Sequence, residues 1–337
     1  MSVRATTLAA ASLLTAAVLL PGSASADGPE RHDSSFTFAT IGDIPYGDAQ
    51  IAHFPAVVDQ INADPDVRLA LHLGDIKSGS SLCTDDYFAM VRGQFDRFAD
   101  PLVYTPGDNE WTDCHRPNNG GYDPLERLAA IRHVFFDHPG RTLGRPMKVD
   151  AQTRRGLPEN VVFERADVVF ADVHVVGSNN SLDPWTGNTE PTPQQLVEER
   201  RRTAGDLALI RQAFREARQE HAAGVVLAMQ ADMFDPTVPD PVFEEWSAFQ
   251  PIARTIAAES ARFGGPVLLL NGDSHAYHVD QPLAAGSFWS DFYDVRTPAP
   301  NLTRVTIDGS TGVNDWLKVT VDKDTPTVFS WEVVPFS

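Results

Sequence analysis

ATIGD (39–43), LHLGD (71–75) and YTPGD (104–108) repeat one event three times: an apolar run that ends in Gly-Asp. Asp43, Asp75 and Asp108 lie 32 and 33 residues apart, about one β-α-β unit each. A fourth copy, LLLNGD (268–273), ends at Asp273 and is followed by His275. A single Gly-Asp is ordinary turn or helix N-cap chemistry. Four of them at the ends of apolar runs point further. Parallel strands joined by crossover helices present their C-terminal ends on one edge, so the four carboxylates are expected to converge. Glycine lets the backbone turn sharply enough for the next side chain to face the crevice. Carboxylates gathered without a counter-charge repel one another, and a metal cluster between them removes that conflict.

Outward from these stretches, short apolar runs alternate with amphipathic ones, the pattern of an α/β sheet protein. Strands are expected at 36–41, 69–73, 102–105, 160–164, 168–176, 225–229 and 267–270, and helices at 49–63, 85–98, 124–136, 192–220 and 247–262. In 192–220, Leu196, Leu207, Ile210 and Phe214 keep helical spacing against a charged, solvated face. Residues 301–308, 316–322 and 327–334 alternate apolar and polar and read as three antiparallel strands. His174 alternates with apolar neighbours and reads as a core histidine.

Residues 1–26 read as a secretory signal peptide: Arg4, a short apolar run over 5–20, a Pro21-Gly22 break and Ala24-Ser25-Ala26. The chain is therefore expected to be secreted, with residues 27–337 as a single domain, no membrane span in the mature chain, and a motif core at about 36–280 followed by C-terminal strands at 301–334. The net charge of −19 disfavours nucleic acid and anionic lipid as partners. The same charge repels phosphate esters at long range, so a phosphate site here needs concentrated local positive charge, for which bound metal is the obvious source. Composition leaves the oligomeric state open. Cys83 and Cys114 are the two cysteines, and in an exported chain such a pair reads as one disulfide, with two buried thiols as the alternative.

These blocks resemble the calcineurin-like metallophosphoesterases, a superfamily that includes the purple acid phosphatases. Its blocks are D-x-H, G-D, G-N-H-[DE], a lone His after a strand, and G-H-x-H. The corresponding stretches are Asp43-Ile44-Pro45, Gly74-Asp75, Gly107-Asp108-Asn109-Glu110, Gln230 after VVLAM, and Gly272-Asp273-Ser274-His275. The resemblance implies a four-layer α/β/β/α sandwich with mixed sheets. It also implies two divalent metal ions (Mn, Mg, Fe or Zn) and hydrolysis of a small-molecule phosphate ester by metal-activated water. On that implication Asp75 bridges the ions, Asp43 and His275 hold one, and Asp108, Gln230 and Asp273 hold the other.

The departures from the pattern bear on mechanism. Pro45, Asn109, Gln230 and Asp273 stand where histidines are usual, and Asp108 where asparagine is usual. Most of these substitutes still offer oxygen, which reads as a re-tuned site. Tyr46 reads either as a replacement ligand or as an aromatic packed on the loop. Asn109 is not a general acid, so His115 is the candidate for protonating the leaving group, against an exposed histidine without a role. In the loop SNNSLDPW (178–185), Asn179 and Asn180 read as substrate-oxygen ligands or as turn residues. Asp232 and His278 are reserve ligands. The alternative function is a catalytically inactive relative that binds a ligand or a structural cation such as calcium.

Overall fold

The computed structural model describes residues 1–2, 35–310, 312 and 315–337. The expected signal segment lies outside these residues except for Met1 and Ser2, and everything below concerns the unit Ser34–Ser337. Its strands are β1 (Ser35–Ile41), β2 (Val67–His72), β3 (Pro101–Tyr104), β4 (Leu143–Gly144), β5 (Asp150–Gln152), β6 (Leu157–Arg165) and β7 (Val168–Asp172). They continue with β8 (Gly224–Ala228), β9 (Val267–Asn271), β10 (His278–Asp280), β11 (Leu302–Thr306), β12 (Asp315–Asp322) and β13 (Phe329–Pro335).

These strands form two mixed sheets, one in the order β13-β12-β1-β2-β3-β4 and the other β10-β11-β9-β8-β7-β6-β5. Strand alternation explains how they stack. In β1, Phe36 and Phe38 join the core between the sheets, while Ala39 and Ile41 face the helices. In β9, Leu268 and Leu270 face inward while Val267 and Leu269 face outward. Both faces of each central strand are buried, which is why these strands read as continuous apolar runs. Phe38 and Phe170 meet edge to face at 5.4 Å across the inter-sheet core. Truncating either to Ala costs roughly 3–5 kcal/mol, the usual range for a buried aromatic.

Helices cover the outer faces. Gly47–Ala63, Asp85–Phe95 and Pro124–Phe135 pack on the first sheet through Phe54, Phe88, Phe95 and Phe135, among others. Pro193–Gln219 and Gln250–Phe263 pack on the second through Leu209, Ile210, Phe214 and Ile256. Thr192 starts the long helix with a capping box to Gln195. The four-layer α/β/β/α expectation holds, and no described helix is long and apolar enough to cross a membrane.

Three expectations need correction. The C-terminal strands are not one antiparallel unit: β11 runs parallel to β9 in the second sheet, whereas β12 and β13 extend the first, β12 antiparallel to β1. Arg304 and Thr306 of β11 are buried, whereas the polar residues of β12 and β13 lie on half-exposed or exposed faces, so polar content alone could not reveal the partner. The 168–176 strand stops at Asp172, after which the chain breaks away toward the site. The short edge strands β4, β5 and β10 stand where no strand is expected.

Candidate metal centre

Parallel pairing of β1 with β2 and β2 with β3 brings three of the four strand ends to one edge of the first sheet. The fourth, β9, arrives from the second sheet. Asp273 donates its backbone N–H to Asp43 Oδ1 at 3.1 Å, so the two sheet edges meet at the carboxylates. Asp43, Asp75, Asp273 and His275 all have left-handed backbones, with φ of 53°, 53°, 77° and 56°. Such conformations are sparsely populated and persist where surrounding structure holds them, commonly at functional sites. Two glycines of the motif are required by proximity: a Cβ on Gly107 would collide with the Asp75 carboxylate, and one on Gly272 with that of Asp43.

The acidic atoms fall into two groups. Asp43, Asp75 and His275 offer ligand atoms within 4.8 Å of one another, as do Asp75, Asp108 and Asp273, so Asp75 is common to both. Asp43 and Asp75 are fully buried. Burial, then repulsion from Asp108, Glu110, Asp43 and Asp273, pushes the Asp75 carboxyl well above its ordinary value. Burial, then Asp108 and Asp43, does the same to Asp273. Burial also raises Asp43, although His275 Nε2 lies 3.2 Å from its Oδ1. Burial works to lower the His275 imidazole, yet the bond to Asp43 holds it above its usual value. Buried carboxylates in mutual repulsion, sharing one member between two triads, fit a pair of divalent cations.

Polar neighbours brace the cluster. Tyr46 Oη donates to Asp75 Oδ2 at 3.1 Å and lies 3.4 Å from His275 Nε2, so the tyrosine stands inside the first triad. Burial, then the surrounding carboxylates, raises its phenol well above 10. Asn109 donates Nδ2 to Asp75 Oδ2 at 2.7 Å and to Tyr46 Oη at 2.9 Å, and its backbone N–H to Asp75 Oδ1 at 3.1 Å. Its side chain is a support of Asp75, with no proton to give a leaving group. Gln230 departs from expectation. Gly177 N–H claims its Oε1 at 2.7 Å, which turns Nε2 toward Asp108 Oδ1 at 3.1 Å and Asp75 Oδ2 at 3.3 Å. The oxygen needed for coordination is taken, so Gln230 acts as a hydrogen-bond donor to two ligands.

The other expected side chains do not join the cluster. The His115 Nδ1 accepts from the Thr186 N–H at 2.9 Å and lies 2.8 Å from Thr186 Oγ1, and burial together with Arg116 pulls the ring down to about 4. That leaves it poorly suited to serve as an acid. Asn180 is buried and spends its amide on Thr203, Arg202 and the Val176 N–H. Asn179 ties down the next loop through Glu244 O at 3.1 Å and Ala248 N–H at 3.0 Å. Both amides have internal structural jobs in place of substrate contacts. Asp232 pairs with the buried Arg304, and His278 Nε2 lies 3.5 Å from Asp280. His174 is a core histidine as expected, bonded through Nδ1 to Glu159 at 2.9 Å.

Sequence reasoning missed the residues that hold Asp108 and its loop. Ser178 Oγ lies 3.0 Å from both Asp108 Oδ2 and Asp113 Oδ1. Glu110 accepts from Gly107 N–H at 2.6 Å and Tyr104 Oη at 2.8 Å, bracing the turn that carries Asp108. Cys83 and Cys114 are joined in a disulfide, linking the loops after Asp75 and Asp108. Isolated loop residues carry no periodic signal; the pairing of the two cysteines was the one part of this support that the sequence announced.

No curated protein matches the chain. Among solved structures, GAP50, described as the anchor in the inner membrane complex of Plasmodium, overlays 90% of this chain and 89% of its own at 10% identity and a TM-score of 0.44, too loosely to bear on function. The family model for calcineurin-like phosphoesterases matches residues 36–186, the segment that supplies Asp43, Asp75 and Asp108 from successive strand ends, and over that segment the chain is similar to this family.

Proposed function

We propose that this chain is a secreted, metal-dependent hydrolase of phosphate esters. The observation that carries the reading is the pair of ligand groups with Asp75 in common. Asp43, Asp75 and His275, with Tyr46 beside them, would hold one divalent ion, and Asp75, Asp108 and Asp273 a second. Two such ions would supply an acidified water nucleophile and positive charge for the phosphoryl oxygens. The chain's own residues fix the geometry. Asn109 and Tyr46 hold Asp75 in place, Ser178 and Gln230 hold Asp108, the Asp273 N–H holds Asp43, and the Asp232 N–H holds Asp273. Strand ends from both sheets thus form a rigid cage, so little reorganisation is needed when substrate binds.

The test is elemental analysis of purified protein, followed by hydrolysis of 4-nitrophenyl phosphate by stripped protein re-metallated with Mn²⁺, Mg²⁺, Fe²⁺ or Zn²⁺. Two ions per chain with turnover support the proposal; two bound ions without turnover on any ester sink it. One observation favours a second reading, a non-catalytic domain with a single structural cation. The amide nitrogens of Gln230 and Asn109 both point at the carboxylates and offset part of their charge. One tightly bound calcium with no turnover would select that alternative.

A further inference from the structure

A phosphate ester approaching this site meets a chain of net charge −19 and gains from fixed positive charge at the rim. Lys77 is close but fully buried, and its ammonium is committed to Ser78 O at 2.9 Å, Asn109 O at 2.6 Å and Asn119 Oδ1 at 3.1 Å. Arg304 is also buried, shared between Asp232 and Asp280. Arg116 differs from both. Its side chain is 41% exposed, and among the described residues its one side-chain partner is Asp113, with Nη1 2.6 Å from Oδ2.

We propose that Arg116 grips the phosphoryl group of the substrate, and that the substrate class is a phosphate monoester. This rests on the hydrolase reading above. A Cβ on Gly79 would lie 2.9 Å from Asn109 Oδ1 and 4.0 Å from Arg116 Nη1, which puts those two side-chain atoms no more than about 7 Å apart. Asn109 Nδ2 is in turn 2.7 Å from Asp75 Oδ2. The Asn109 amide thus connects Asp75 to the Arg116 side of the site, and the proposal seats the phosphoryl group over that amide, between the cage and the guanidinium. A second connection runs through polar contacts, from Arg116 to Asp113, to Ser178, to Asp108 Oδ2.

The arginine is held ready for this. Asp113 is buried and pins one end of the guanidinium. Asn119 Nδ2 fastens the loop to Asp113 O at 3.1 Å and Gly79 O at 2.9 Å, and Arg116 O accepts from the Asn119 N–H at 2.9 Å. The disulfide at Cys114, two residues earlier, anchors the same loop. A side chain restrained beforehand loses little freedom on binding. A planar guanidinium pairs through two parallel N–H donors with two phosphoryl oxygens, and the bond is strengthened by charge. A monoester dianion gains more from that charge than a diester monoanion does, and the acidic chain makes the difference count.

The experiment uses the Mn²⁺-loaded full chain as wild type, Arg116→Met and Arg116→Lys. Inorganic phosphate binding is measured by calorimetric titration, and hydrolysis is measured on 4-nitrophenyl phosphate and bis(4-nitrophenyl) phosphate. Thermal unfolding checks that each variant is folded. Arg116→Met is expected to weaken phosphate binding and raise KM for the monoester at least tenfold, while KM for the diester rises by a clearly smaller factor. Arg116→Lys keeps a partner for Asp113, so it remains informative if the methionine variant fails to fold, and it should recover part of the phosphate affinity but lack the fork. Equal phosphate affinity in wild type and the variants, no phosphate binding by wild type, or an equal KM change for both esters would overturn the assignment. Phosphate binding that depends on Arg116 in a protein that hydrolyses neither ester would keep the phosphate contact and reject the hydrolase reading instead.

Discussion

Removing the Cys83–Cys114 bond should lower stability by an amount that follows from loop length. The two cysteines are 31 residues apart and both side chains are fully buried. Closing a loop of that size removes about 12 cal/mol/K of unfolded-chain entropy, or about 3.7 kcal/mol at 25 °C. Unfolding roughly 300 ordered residues carries an entropy near 0.6 kcal/mol/K, so the expected fall in Tm is about 6 °C. Scanning calorimetry of the oxidised protein with and without a phosphine reductant measures it. The Cys83→Ala/Cys114→Ala variant should fall somewhat further, since it also loses buried sulfur contacts. A reduced protein that unfolds within about 1 °C of the oxidised one would refute the reasoning. The loops would then be held by Lys77 and Asn119, which cross the same gap to Asn109 O and Gly79 O.

Asp75→Asn should empty both metal sites and cost more activity than the roughly 10- to 100-fold typical of changes beyond the ligands, whereas Asp43→Asn should leave one ion bound; elemental analysis distinguishes them. With four carboxylates and a single imidazole, re-metallated protein should prefer Mn²⁺ or Mg²⁺ over Zn²⁺, and Asp273→His should move the preference toward zinc; a wild type purified with two tight zinc ions and inactive with manganese contradicts this. Burial works to raise the Glu159 carboxyl, but bonds to His174 and Arg132 overcome it and pull it down to about 2. Its contribution to stability is therefore complete above the unfolded value near 4.5 and is lost as pH falls from there toward 2. Glu159→Gln should cost roughly 3–5 kcal/mol at pH 7 and flatten that acid limb in urea titrations.

Much of the fold was legible because its central strands are buried on both faces and its motif recurs. Three Gly-Asp endings one β-α-β unit apart placed Asp43, Asp75 and Asp108 together, and the structure brings them together. Sheet membership was harder to read. Residues 302–306 and 315–322 both mix apolar and polar positions yet enter different sheets, and the buried Arg304 and Thr306 show that such mixing names neither the exposed face nor the partner strand. The orientation of Gln230 was invisible for a similar reason: it is set by the Gly177 N–H, 53 residues away in sequence. Arg116, Asp113 and Ser178 gave no signal because each is a lone polar residue in a loop, and only folding connects them.

The left-handed backbones at the cage bear on how such a site can change over time. At φ between 53° and 77°, Asp43, Asp75, Asp273 and His275 occupy a region that glycine enters freely, and that among other residues chiefly Asn, Asp and His tolerate. Val, Ile or Thr at any of these positions would meet a backbone penalty before any chemistry was tested. The permitted replacements at these four positions are thus confined to a short alphabet, nearly all of it able to coordinate a metal. Single substitutions can exchange one ligand type for another and alter metal preference stepwise, while the backbone penalises every ligand-free replacement except glycine. The turn geometry thereby acts as a filter on mutation, making ligand exchange the easiest path open to this protein.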